Sequence, residues 1–384
     1  MHYFVYAKKD TTIYSGSRTD LSAIKADYQN TGLDSILELS KLTKPNFTEN
    51  ETSRILIKFD LTDLETNIKN QIFPNFSSNT KYNLRLYEAT SIELPTVDTI
   101  YAYPLSSSWD MGVGHKFDNP SDLDGATWYN KSTGNTWFDS GSADAQDFTS
   151  SYEGKTLITS QSFEYGTQDI NMDVSDMVFE WVEQSYVDGG YMADDWISTP
   201  FPNHGLIVKR SNANENDGNN YGNLTFFSRE TQTIYVPKLE LKWDDTVWAT
   251  GSLSALTAED VVVNIRNLQS QYQEKSKEKV RVVGREKYPA KTYSKSHEGL
   301  VVKYLPSGSS YYSVKDAQTD EVIIDFDDYT KLSCDASGNY FNFWFNGLQP
   351  ERFYRFCFKI VQNKNTSTEN IRYFDNDDTF KVVR

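Results

Sequence analysis

Residues 53–61 read SRILIKFDL, with Ile55, Ile57 and Phe59 on one side of the alternation and Leu56, Lys58 and Asp60 on the other. A period of two marks a strand with at least one buried face. The pattern returns in residues 35–39, 82–87, 97–105, 167–174, 205–210, 222–228 and 237–243, while 2–8 and 11–14 read as two short strands flanking a turn. Turn residues separate these runs and no crossover long enough for parallel pairing lies between them. Roughly ten strands are predicted, a number that suits a jelly roll. One short helix interrupts them, with Asp173 placed to cap it and Val174, Met177, Val178 and Trp181 spaced to bury one stripe.

A second series follows: Val261, Val263 and Ile265; Val280 and Val282; residues 300–304, 311–314 and 322–324; Phe341, Phe343 and Phe345; Tyr354, Phe356, Phe358 and Ile360; and residues 380–383. About eight short strands in this span predict an immunoglobulin-like or fibronectin-like sandwich. The expected fold class is therefore all-β, with a jelly-roll β-sandwich over 1–245, a connector at 246–256 and an immunoglobulin/fibronectin-like β-sandwich over 257–384.

Composition agrees with strands. The 384 residues include 25 Tyr, 22 Phe and 8 Trp against 5 Met, a balance that favours sheets and contact surfaces. Charge is uneven: residues 1–251 carry 19 Lys and Arg against 36 Asp and Glu, whereas 252–384 carry 19 against 18. An acidic first part repels phosphates and anionic lipid, so neither nucleic acid nor membrane is an expected partner. The near-neutral remainder suits a region covered by another protein. Cys334 and Cys357 are the only cysteines. The start lacks the apolar core of a secretory signal, so synthesis in a cytosol is expected, with free thiols favoured over a Cys334–Cys357 bridge.

Between residues 106 and 152 runs a long insertion holding Trp109, Trp128, Trp137 and Phe138. Loops of this length are functional or disordered, and three tryptophans argue for order. Trp109, Trp128 and Trp137 are candidate carbohydrate-binding residues, because indole faces suit sugar rings; the competing and favoured reading is that they pack the loop or lie under a partner. In the second domain, alternation sends Phe341, Phe343 and Phe345 one way and Tyr340 and Trp344 the other. Together with Tyr311 and Tyr312 these make more aromatic area than one face can hide, so Tyr311, Tyr312, Tyr340 and Trp344 are candidate protein-interface residues.

Catalytic chemistry finds little support. His2, His115, His204 and His297 are far apart and form no metal motif, and no carboxylate pair stands out by spacing. The runs Asp118, Asp122, Asp124 and Asp375, Asp377, Asp378 lack the calcium-loop pattern and read as solvated acidic loops. No enzyme activity, cofactor or metal is expected. The stretch NANENDGNN at 212–220 reads as a flexible hairpin tip.

The order of SRILIKFDL, WDMGVG, DGATW, a strand and helix ending in Trp181, HGLIVKR and FFSRE…VPKLELKW resembles the DNRLRE-type domain, related to a carbohydrate-binding-module family. The second domain, with TKLSCDASGNYFNFWFNGLQPERFYRF and FDNDDTFKVVR, is similar to sequences of tailed-phage virion proteins. The resemblance implies a structural protein of the neck, tail or baseplate region, located in the virion, contacting other virion proteins in a symmetric assembly with the first domain displayed outward. The alternative it implies is a carbohydrate-binding module that meets host surface polysaccharide.

Overall fold

The structure, a computed structural model, describes residues 1–15, 29–42, 51–77, 79–116, 118, 123–137, 147–164, 169–193, 200–289 and 301–384. Phe138, Asp122 and His297 lie outside them. The protein is all-β and divides into two compact units, one of Phe4–Leu241 and one of Met1–Tyr3 with Lys242–Arg384.

In chain order the first series comprises β1 (His2–Tyr14), β2 (Ile36–Leu42), β3 (Glu51–Phe59), α1 (Thr62–Lys69), β4 (Thr80–Leu86), β5 (Val97–Pro104), the small hairpins β6 (Asn130–Ser132) with β7 (Asn135–Thr136) and β8 (Ser151–Tyr152) with β9 (Lys155–Thr156), β10 (Thr159–Glu164), β11 (Ile170–Asp173), α2 (Ser175–Asp188), β12 (Leu206–Arg210), α3 (Asn212–Asn216), β13 (Gly222–Phe227) and β14 (Lys238–Trp243). Ten of these strands form one linked sheet in the order β10-β5-β12-β3-β1-β14-β4-β11, with β2 joining β3 to β13.

The organising stretch is a central strand: β3 pairs with β1 on one side and β12 on the other. Both of its faces are buried, since Leu56 is as enclosed as Ile55, Ile57 and Phe59. β1 runs unbroken where two strands and a turn were expected. A bulge between Ala7 and Lys9 shifts the register; one extra residue is absorbed without ending the ladder, and the chain bends there. The helix after Asp173 is longer than its stripe suggested, and the Asp173 carboxylate accepts the Ser175 amide at 3.0 Å to start it.

The second series is β15 (Val261–Arg266), β16 (Gln271–Gln273), β17 (Lys277–Glu286), β18 (Ser310–Asp316), β19 (Val322–Ile324), β20 (Ser333–Asp335), β21 (Gly338–Trp344), β22 (Phe353–Gln362) and β23 (Asn370–Val383). A four-stranded sheet, β15-β17-β21-β20, faces a five-stranded sheet, β16-β23-β22-β18-β19. The opening strands divide between the sheets, and β16 pairs in parallel with the last strand, an immunoglobulin-like arrangement.

Rings join the two sheets: Tyr312 stacks on Phe341 at 4.2 Å, and Phe356 meets both Phe341 and Phe343. At the entry to β22 the Tyr354 hydroxyl donates to the Gln349 carbonyl at 2.9 Å, the tie that closes many sandwiches of this kind. Cys334 and Cys357 are buried free thiols. Segment 246–256, read as a connector, is hydrogen-bonded into this unit: Ala249 donates to Cys334 and Leu256 to Tyr304. The acidic run Asp375, Asp377, Asp378 is part of β23, not a loop.

Candidate functional site

The alternation of β3 explains the insertion. Leu56, Ile13 and Ile207 form an apolar patch on the face of the sheet turned away from Ile55, and residues of the insertion cover it. Trp109, Trp128, Trp137, Ala126, Leu105 and Phe148 make one buried cluster with these three side chains. Two of the three indole N–H groups are satisfied internally: Trp109 Nε1 donates to the His204 carbonyl at 3.0 Å and Trp137 Nε1 to the Thr127 carbonyl at 2.9 Å. The Arg54 guanidinium lies 4.7 Å from the Trp128 ring centre. With exposures of 3%, 9% and 0%, Trp109, Trp128 and Trp137 offer no open ring face. The structure places them together in one packed core.

A charged network adjoins this core, and the sequence did not reveal it. Arg54 of β3 grips Glu215 of α3 with both Nε and Nη2, at 3.1 and 2.6 Å. Lys209 of β12 approaches the same carboxylate at 3.1 Å, and Lys41 of β2 donates to the Glu215 carbonyl at 2.6 Å. The next residue, Arg210, points to the opposite face, where Nε meets Asp98 at 2.9 Å and Nη1 the Leu39 carbonyl. All six side chains are buried. The expected flexible tip at 212–220 is thus corrected: its first part is a helical turn, capped by Ser211 Oγ accepting the Asn214 amide, and anchored because the buried cations Arg54 and Lys209 need the carboxylate it carries. Burial opposes charge on Lys41 and Arg210 and lowers both pKa values.

A second buried acid sits beside the β1 bulge. Asp10 accepts the Arg229 amide at 2.6 Å through Oδ2, while Oδ1 has no hydrogen-bond partner among the described residues. Burial is the main cause that raises its pKa to about 7.

In the second unit the four candidate interface residues separate. Tyr312 belongs to the core and Tyr311 is buried under Lys359 and Lys364. Tyr340 is also covered: Arg281 is its cross-strand partner, and Lys279 Nζ lies 3.6 Å from its ring centre. Trp344 is half-buried beside its partner Lys277. Tyr311, Tyr312 and Tyr340 are therefore not an exposed patch; long cationic stems cover the outward rings.

Exposed aromatic surface lies elsewhere, on the outer face of the five-stranded sheet. Tyr373 of β23 is 65% exposed and Ile371, two positions earlier on the same face, 46%. Lys359 stands opposite Tyr373, and the Phe326 ring is 5.8 Å away. The signal was present in the alternation IRYF at 371–374, which the strand series above does not include.

Among the described residues no group of three or more His, Cys, Asp or Glu side chains is placed to hold a metal ion. His115 is 3.3 Å from Asp34, and burial foremost lowers the pKa of His204. Asp118 accepts the His115 amide and Asp124 the Thr133 hydroxyl, so both serve the loop itself. Among the described residues no helix is long and apolar enough to cross a membrane. In sequence comparison the chain matches no protein-family model and no curated protein.

Proposed function

We propose that the chain is a structural component of a tailed-phage virion, from the neck, tail or baseplate region, and that it acts through protein–protein contacts. The observation that carries the contact part is the open face of β23. Tyr373, Ile371 and Phe326 put apolar and aromatic area into water beside Lys359, and a rigid aromatic anchor with a charged neighbour is the composition of an interface hot spot. The virion setting comes from the sequence resemblance alone. In this reading the near-neutral 242–384 unit docks on its neighbours and the acidic unit is left to solvent.

The first unit supports such a role through stiffness. Its long insertion is fastened by three enclosed tryptophans and its α3 turn by buried ion pairs, so it presents a fixed surface. A carbohydrate-binding module would need ring faces open to a sugar, and Trp109, Trp128 and Trp137 do not supply them; no other observation favours that alternative.

The test is a particle fraction from infected cells, probed for the chain and cross-linked through lysine. Cross-links from Lys359 to another particle protein, lost in a Tyr373→Asp variant that still folds, are expected. Absence of the chain from purified particles would sink the virion setting.

A further inference from the structure

Antiparallel pairing sets Arg266 of β15 directly opposite Arg281 of β17. Opposed residues share a face with Cβ atoms roughly 5 Å apart, and like charges there are destabilising. Arg281 is partly neutralised, its Nη1 donating to Asp335 at 2.6 Å, but Lys279 draws on the same carboxylate at 2.8 Å. The local group therefore holds three cations and one anion. Arg266 is exposed and makes no hydrogen bond or ion pair among the described residues. Beside the two arginines opens a notch of about 260 Å³, lined also by Asn267, Val282, Val283, Ser337 and Asn339. Its wall is fixed, because Asn339 accepts the Leu305 amide at 2.8 Å and donates to the Ser333 carbonyl.

We propose that this notch receives the carboxylate side chain of an acidic segment on a protein partner. A guanidinium fork matches a carboxylate in two parallel hydrogen bonds, and an incoming anion would relieve the repulsion across β15 and β17. Val283, on the same face as Arg281, suits a carboxylate carried on a methylene stem, which an inorganic anion lacks. The inference rests on the protein-contact reading and adds to it the chemistry of one contact.

The experiment uses the full chain and a labelled Gly-Ser decapeptide carrying two glutamates, with its glutamine twin as control, followed by fluorescence anisotropy. The glutamate peptide should bind at least tenfold more tightly than the twin, and Arg266→Gln should remove that difference. Lys381→Gln, which breaks an ion pair with Glu351 elsewhere, should leave it. Because Arg266→Gln deletes a like-charge pair, its melting temperature should stay level or rise; a fall would assign Arg266 a structural role and overturn the proposal. Equal binding of the two peptides, or displacement by inorganic phosphate at matched concentration, would also overturn it. Selective peptide binding by a chain missing from purified particles would leave the notch standing and end the virion reading. The chain present in particles but blind to the peptides would do the reverse.

Discussion

The two units use cations in opposite ways. In the first, Lys41, Arg54, Lys209 and Arg210 are drawn inside and held by Glu215 and Asp98. In the second, Lys277, Lys279, Arg281, Lys359 and Lys364 stay on the outside and lie over aromatic rings. The difference is one of desolvation. A buried pair is worth keeping whole because removing one partner strands the other, at about 3–5 kcal/mol. An exposed cation over a ring gains only about 0.5–1 kcal/mol and loses little when it goes. The Glu215 and Asp98 network of the first unit is held by pairing that tolerates no omission; the cations over rings in the second are individually dispensable.

The sharpest way to break this comparison is to delete one anion from each unit. Glu215→Ala should destabilise the first unit by about 3–5 kcal/mol in urea unfolding followed by tryptophan fluorescence. Asp335→Ala, which removes an ion-pair partner 30% exposed, should cost under about 1 kcal/mol. Equal losses would end the distinction.

Next in size is a pH effect confined to the first unit. Asp10 has a folded pKa of about 7 against 3.8 for the free acid. Its pKa is raised on folding, so the folded state binds the proton more tightly than the unfolded one. The stability it contributes is present at low pH and declines as pH rises from about 4 to about 7. Arg229 opposes this shift and Glu230 adds to it. Asp10→Asn keeps the acceptor for the Arg229 amide and should flatten the pH dependence of melting across that window, gaining on the order of 1 kcal/mol or more at pH 8. An unchanged slope would show that Asp10 stays ionised in the folded state.

The smallest effect compares two hydroxyls of the second unit. Tyr354→Phe removes the hydroxyl that donates to the Gln349 carbonyl and should cost about 1 kcal/mol. The Tyr312 hydroxyl is enclosed without a hydrogen-bond partner among the described residues, so Tyr312→Phe should be neutral or slightly stabilising. Chevron or equilibrium unfolding of the pair checks both signs.

These contrasts also explain what could be read from the residues. The period of two in SRILIKFDL identified the central strand, and its second apolar position, Leu56, was already a sign that something must cover the far face. The tryptophans of the insertion are that cover. Glu215 was illegible because its partners come from β2, β3 and β12, more than 150 residues away along the chain for Lys41 and Arg54; a short polar run gives no local sign of such a debt. Tyr340 and Trp344 were expected in the open because alternation gives the face of a side chain and not its neighbours. Only the register that sets Arg281 and Lys277 opposite them shows the rings are roofed.

The cross-sheet stack of Tyr312, Phe341 and Phe356 joins the two sheets with rings, where immunoglobulin domains add a covalent bridge. Phe356 follows Tyr354 by two residues, the spacing at which the second half of that bridge would stand. A fold pinned by rings has no sulfur–sulfur bond to lose. Addition of dithiothreitol or glutathione should therefore leave its unfolding midpoint where it was.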